Sequence, residues 1–423
     1  MERKSKRQQN GGRPKFQPKT EASKQQKRLL YVDIWGFKQK ICNSENYWDL
    51  ESAKRNVEEF HDAALNAGWV VTIFINANNG TEEISDRWKK SREDQVKGGT
   101  INFAPNLSRM LGELFQEVGA TVHFTSADCT DTLVSMAQKD KAAVLAKYKD
   151  FFGYKGAKYY IYNNFKYQYE QQPGEAYQRK VISLIPAKPP ARDEWISRKQ
   201  LLDPIPFTYD YYPNAEIIMS TTPISYIRGC PSNLVREVGN LHILLKPLRA
   251  AFYYMIGVQP QDCESGGVKE SFPFWDDEKQ ACQWTNDFVA PDPALMGLLL
   301  EGKPIIPAFK HYYKQLKRPD HIDEDSINWQ NHLFGLASLI AELKSCAYHK
   351  ISTDSRYEGE DSTLGGVGAI ADGPSLKSKV KPLSMVKMIL QAKQLLTKEG
   401  IIGQKVQEDK YGLVESFQMK LIV

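Results

Sequence analysis

Short apolar runs, separated by segments with helical spacing, restrict the fold of this chain more than any other feature. The runs lie at 29–33, 69–75, 120–124, 142–145 and 159–162, and the helical patterns between them lie at 50–67, 105–119 and 130–138. Runs of this kind are typical of strands that are buried on both faces of a sheet. Their alternation with helices predicts an α/β fold over residues 29–165, with a parallel sheet flanked by helices.

The rest of the chain divides by composition. We predict a disordered basic tail at 1–28, an irregular Pro/Tyr-rich segment at 166–225, a mainly helical region at 226–350, a flexible linker at 351–380, and a final helix and tail at 381–423. Within the helical region one pattern starts at Pro247 and stops at Gly257, and a longer one covers 329–348. The final helix is predicted at 384–398.

Positive charge is concentrated in the basic tail. Residues 1–28 carry a net charge of +8, so the remaining residues carry −3 of the total of +5. The candidate nucleic-acid contacts in this tail are Arg3, Lys4, Lys6, Arg7, Arg13 and Lys15. A flexible basic arm suits a phosphate backbone, although a solubilising or nuclear-targeting tail has the same composition.

Two further stretches are candidates for nucleic-acid contact. The first has four basic residues around Trp88: Arg87, Lys89, Lys90 and Arg92. Neighbouring acidic residues also fit a solvated helix of mixed charge. The second is the tyrosine-rich stretch 148–169, whose rings would either stack on single-stranded bases or form the core of a strand.

Cysteine usage and hydropathy indicate an intracellular protein of the cytoplasm, the nucleus or both. The six cysteines are scattered, with no Cys-x-x-Cys pair, which is typical of reduced thiols. The N-terminus lacks the apolar segment of a secretory signal, and no run approaches the roughly 18 apolar residues that span a bilayer. We therefore expect no membrane partner.

Four carboxylates follow the predicted strands, at the sheet edge where α/β proteins bind ligands. They are Asp33, Asp128, Asp131 and Asp150. Converging carboxylates suit Mg²⁺ or Mn²⁺, which can activate water and hold a phosphodiester. Asp128 or Asp131 would instead serve as a cap of the helix that follows.

The order of several motifs resembles the PIN-like nuclease domain of flap endonucleases and XPG. The motifs are Val32-Asp33, Phe74-Ile75-Asn76, the run from Asp131 to Ala137, and the run from Val144 to Phe152. Two later motifs, Pro247-Leu248-Arg249 and Val268-Lys269-Glu270, resemble more narrowly the Asteroid proteins and the constitutive coactivators of PPAR-gamma. The resemblance covers residues 29 to about 350, and it implies RNA binding and post-transcriptional regulation.

Residue by residue, the resemblance implies a metal site that has lost ligands. The acids that remain are Asp33, Asp131 and Asp150, and the positions that differ are Asn76, Cys129 and Tyr148. Asp128 would substitute in part for the acid that is missing at Cys129. Two divalent cations bring four positive charges, which so few carboxylates leave under-neutralised. A single Mg²⁺ that keeps several waters would need only one or two of these carboxylates.

Three functions follow from these observations. The first is an inactive pseudonuclease that acts as an RNA-binding scaffold, with protein partners bound through its helical region and with no cofactor. The second is an endonuclease for structured or single-stranded substrates that uses the four aspartates with Mg²⁺ or Mn²⁺. The third is a scaffold that binds only proteins.

Overall fold

The computed structural model describes most of the α/β region, much of the helical region and the final helix. The described residues are 28–42, 44–77, 90, 104, 106–125, 129–147, 151, 154, 160–171, 177–188, 208–209, 241–262, 264–276, 278–300, 304–318, 320–353 and 383–402. Residues 1–27 of the predicted basic tail lie outside this set, but its last residue, Arg28, begins the first strand. The prediction of a linker at 351–380 is wrong at its start, because a helix continues to Thr353, and residues 354–380 lie outside the described set.

A mostly parallel sheet flanked by helices forms the α/β region, as predicted. Its strands are β1 (Arg28–Asp33), β2 (Trp69–Asn76), β3 (Thr121–Thr125), β4 (Ala143–Leu145), β5 (Ile161–Glu170), β6 (Arg179–Pro186) and β7 (Thr208–Tyr209). The strands are ordered β6-β5-β4-β1-β2-β3-β7, with β6 and β7 antiparallel to their neighbours. The five parallel strands therefore have the order 3-2-1-4-5 of a Rossmann-like fold.

Alternating side chains bury both faces of this sheet. The flanking helices are α1 (Lys38–Ile41), α2 (Leu50–Asn66), α3 (Leu107–Glu117) and α4 (Cys129–Asp140). Leu30 and Val32 of β1 pack in one core with residues of α2 and α3, whereas Tyr31 packs with Leu133 of α4 on the opposite face. Strands that are buried on both faces read as continuous apolar runs, and for this reason the sequence revealed them.

The prediction of an irregular segment at 166–225 is wrong at its start. Strand β5 continues to Glu170 and pairs with β6, which forms an antiparallel hairpin. Pro173 lies outside the described residues, and Pro186 is the last residue of β6, where a proline does not interrupt the ladder. Residues 189–207 and 210–240 lie outside the described part of the chain.

The helical region also holds a second, two-stranded sheet. Its helices are α5 (Leu241–Leu244), α6 (Lys246–Met255), α7 (Met296–Leu300), α8 (Ile306–Tyr313) and α9 (Ile327–Thr353), and the final helix is α10 (Met385–Lys398). Strands β8 (Val268–Asp276) and β9 (Ala281–Val289) form the additional antiparallel pair. The three predicted helices match α6, α9 and α10. Among the described residues, no helix is long and apolar enough to cross a membrane.

One carboxylate connects the final helix to the α/β region. Glu113 of α3 accepts hydrogen bonds from the N–H groups of Met385 and Val386, each at 3.1 Å, and from the Ser384 hydroxyl at 2.9 Å. Arg109, one turn earlier on α3, pairs with the same carboxylate at 3.2 Å. An acid at a helix N-terminus satisfies N–H groups that have no partner within the helix. The contact therefore fixes the position at which α10 begins.

We expect the Gly112→Ala substitution to lower the free energy of unfolding by about 1–3 kcal/mol through overpacking. A Cβ at Gly112 would lie 2.6 Å from Cε1 of Phe124 and 3.1 Å from Cδ1 of Ile75, and all three residues are buried. Urea denaturation would measure the change. Gly297→Ala in α7 is the matched control, because a Cβ there meets nothing within 4 Å. Equal effects of the two substitutions would contradict this packing.

Candidate functional site

The strand order places a candidate site at the carboxyl ends of β1 and β4. From β1 the chain builds β2 and β3 on one side, and then crosses back to β4 on the other side of β1. Such a reversal opens a crevice beyond the strand ends, where α/β proteins usually bind ligands. Asp33 ends β1, and Lys147 lies two residues beyond β4. The two residues therefore lie at the same edge of the sheet.

Asp33 is held in place by the backbone that follows it. Its side chain is 7% exposed, and its Oδ1 accepts a hydrogen bond of 3.2 Å from the N–H of Trp35. This bond caps a 3-10 helix at Ile34–Phe37, the element that leads into α1. Capping by a short acidic side chain is common at such ends. At Asp33 the cap keeps the carboxylate at the strand tip.

Two lysines lie on the segments that adjoin this carboxylate. A Cβ on Gly36 would lie 2.9 Å from Cβ of Lys147, so the capped helix and the residues after β4 are in close contact. The Lys38 ammonium lies 3.7 Å from the centre of the Trp35 ring. Burial lowers the pKa of Lys38 to about 8; the Asp33 carboxylate opposes this effect and Lys147 adds to it. At pH 7 Lys38 remains mostly protonated, so the site combines one carboxylate with two cations.

The other described positions of the predicted metal site carry few carboxylates. Asn76 ends β2 with an amide, and Cys129 begins α4 as a buried thiol. Asp131, on the first turn of α4, accepts a hydrogen bond from the Tyr154 hydroxyl. This bond engages one Asp131 oxygen within the protein.

Much of the predicted site lies outside the described residues. The undescribed acids are Asp128 and Asp150, and the undescribed basic candidates are Arg3, Lys4, Lys6, Arg7, Arg13, Lys15, Arg87, Lys89 and Arg92. Of the second basic cluster only Lys90 is described, and it is exposed. Within the described ranges, no three His, Cys, Asp or Glu side chains are arranged to hold a metal ion. The four-aspartate cluster stays a prediction.

The tyrosine-rich stretch contains both core residues and surface residues. Tyr154 is 6% exposed and packs in the core beside α4, whereas Tyr169 on β5 is 64% exposed. The Lys180 ammonium lies 5.0 Å from the ring centre of Tyr167 and 5.6 Å from that of Tyr169, and it pairs with Glu59 at 2.7 Å. Tyr154 is therefore a core residue, and base stacking by the exposed tyrosines stays a prediction.

Sequence reasoning missed Trp35 and Lys38 as site residues. Both follow β1 within five residues of Asp33, and the fold brings them to Lys147 across the β1–β4 boundary. Their position directly after the first buried strand was the available signal, because ligands bind at strand ends. The search for acidic residues alone overlooked this signal.

The two later motifs meet in a buried ion pair. Arg249 of α6 binds Glu270 of β8 through two hydrogen bonds, Nε to Oε1 at 2.7 Å and Nη2 to Oε2 at 2.5 Å. The Tyr253 hydroxyl donates to Oε1 of Glu270 at 2.7 Å. Arg249 and Glu270 are 1% and 3% exposed. The pair therefore joins the helix to the second sheet and is closed to ligands.

Comparisons with known proteins add no family assignment. A scan against protein-family models found no match, and a search of the curated proteins found none either.

Proposed function

We propose that this chain is a PIN-like pseudonuclease that serves as an RNA-binding and protein-interaction scaffold. The proposal combines the motif resemblance with the Rossmann-like strand order, which gives the sheet a ligand-binding edge. An intracellular location fits the free thiols of Cys42, Cys129 and Cys346, three cysteines whose side chains the structure describes.

The observation that carries the proposal is the pair of lysines beside Asp33. Each protonated lysine adds a positive charge at this edge of the sheet. Lys147 is exposed, whereas Lys38 is partly buried, where like charges repel more strongly than in open water. Divalent cations at the same place would meet this repulsion, while the Tyr154 hydroxyl already occupies one oxygen of Asp131. Two-metal hydrolysis needs the opposite charge balance. A site of this composition favours binding of an anion over activation of water by metals.

The RNA assignment depends on the basic tail as well as on the sheet. A net charge of +8 over 28 residues suits a phosphate backbone. The assignment of protein partners to the helical region follows from the resemblance. Candidate contacts for them are the large apolar side chains that this region exposes, which include Ile243, Tyr254, Leu300 and Ile327.

We expect the full chain to bind a fluorescent single-stranded RNA in EDTA and to leave it uncut in Mn²⁺. Deleting residues 1–27 should weaken binding and flatten its salt dependence, by about 0.7 in the logarithmic slope for each phosphate that the tail neutralises. Fluorescence anisotropy across a salt titration measures both quantities, and gel electrophoresis of the same samples detects cleavage.

The alternatives predict other results in the same samples. Cleavage in Mn²⁺ that disappears in Asp33→Ala would establish the endonuclease and overturn the pseudonuclease. If the full chain does not bind RNA at low salt, the remaining candidate function is a scaffold that binds only proteins. Equal binding by the full chain and the deletion would contradict the role of the tail.

A further inference from the structure

The crevice at the ends of β1 and β4 combines groups that suit a nucleotide. Lys38 and Lys147 supply positive charge, and Trp35 supplies an aromatic ring that is 40% exposed. Trp35 and Lys38 follow β1, and Lys147 follows β4. These two strands are adjacent and parallel, so all three residues lie at the same edge of the sheet. The site therefore has two cations that suit a phosphate and an aromatic ring that suits a base.

The local backbone keeps these groups together. The cap from Asp33 fixes the turn that carries Trp35, and Lys38 packs on the indole ring at 3.7 Å. The close approach of Gly36 to Lys147 leaves no space for a side chain between the two segments. Lys40, the next lysine on α1, donates to Asn164 Oδ1 at 2.7 Å and to the carbonyl oxygen of Phe165 at 2.9 Å. Lys40 thus anchors the segment to β5.

We infer that Lys38 and Lys147 bind a backbone phosphate of single-stranded nucleic acid directly, and that Trp35 stacks on a neighbouring base. Lys38 and Lys147 supply positive charge at the sheet edge where the resemblance puts metal ions, so the phosphate contact needs no divalent cation. Stacking on an aromatic ring tolerates any base sequence, which suits a binder without strict sequence preference. This inference rests on the proposed function and assigns its phosphate contact to two residues.

The test measures the affinity of the full chain for a fluorescein-labelled twelve-nucleotide oligouridine, in EDTA. We expect Lys38→Gln and Lys147→Gln each to weaken binding several-fold and to lower the salt slope by about 0.7. Trp35→Ala should weaken binding about tenfold and leave the salt slope unchanged, because stacking releases no counterions. Lys38→Arg should retain affinity, since it keeps the positive charge.

Lys139→Gln is the matched control. Lys139 is exposed in the last turn of α4, which packs on the same sheet, and its substitution removes the same charge. It should leave affinity near that of the unchanged chain. Circular dichroism and thermal unfolding of each variant would show that the fold is intact.

The outcomes separate this inference from the proposed function. If the unchanged chain binds oligouridine and Lys38→Gln, Lys147→Gln and Trp35→Ala bind it with the same affinity, the phosphate site is wrong and the RNA-binding scaffold stands. If the full chain does not bind, both fail. Binding of oligouridine that requires Mg²⁺ or Mn²⁺ would overturn direct phosphate binding. Competition by polyglutamate as effective as that by unlabelled oligouridine would also overturn it, because it would indicate an acidic protein as the ligand.

Discussion

Replacing Arg249 with methionine is expected to lower the free energy of unfolding by about 3–5 kcal/mol. The substitution keeps much of the side-chain volume but removes both hydrogen bonds to Glu270. Glu270 is 3% exposed, so its carboxylate would remain buried with the Tyr253 hydroxyl as its principal donor. Leaving a buried charge without its partner costs more than the pair itself contributes. Urea denaturation of the full chain would measure the loss.

A neighbouring ion pair provides the control for this prediction. Lys246 of α6 and Asp287 of β9 lie 2.7 Å apart and join the same helix to the same two-stranded sheet, but both are more than one-third exposed. Lys246→Met should therefore cost no more than about 1 kcal/mol. The double substitution Arg249→Met with Glu270→Leu should recover most of the lost stability, because no buried charge remains. If Arg249→Met costs as little as Lys246→Met, burial does not govern this pair.

The α/β region was predictable because its local and tertiary signals agree. Strand β1 is apolar from Leu29 to Val32 because neighbouring side chains pack on opposite faces, Val32 in one core and Tyr31 in the other. Helix α2 ends where expected because Gly68 adopts a positive φ of 78°, a conformation that suits glycine at a helix C-terminus. Short-range pattern alone was sufficient for these elements.

The hairpin and the site depend on contacts between residues that are distant in sequence. Tyr167 and Tyr169 alternate as in a strand, but the surrounding prolines suggested a loop, and only the pairing with β6 decides the matter. Lys38 and Lys147 come to the same edge of the sheet because β4 returns next to β1, which the strand order determines. No pattern within one segment predicts which side chains become neighbours after such a crossover. The acidic positions could be predicted from the sequence because each one follows a predicted strand along the chain.

The stability of the protein is expected to fall by about 3 kcal/mol as the pH drops from 6.5 to 4, through the single residue His332. His332 lies in α9 with 0% exposure, and neither ring nitrogen has a hydrogen-bond partner among the residues that the structure describes. Burial lowers its pKa to about 4, from an ordinary value of 6.5. Below pH 6.5 the unfolded chain binds a proton that the folded chain excludes. The folded state therefore loses stability until the pH reaches its own pKa.

The substitution His332→Leu isolates this effect because it removes the titrating ring and keeps an apolar side chain of similar size against Trp329, whose ring stacks on His332 at 5.8 Å. Urea denaturation from pH 7 to pH 4 should show a loss smaller by about 3 kcal/mol in this variant. His311→Gln, at an exposed position of α8, should keep the full pH dependence. The unchanged chain and His332→Leu would lose equal stability only if the folded protein protonates His332 as readily as the unfolded chain does. That result would require a buried acceptor or water at the ring, and it would place a polar group inside the helical core.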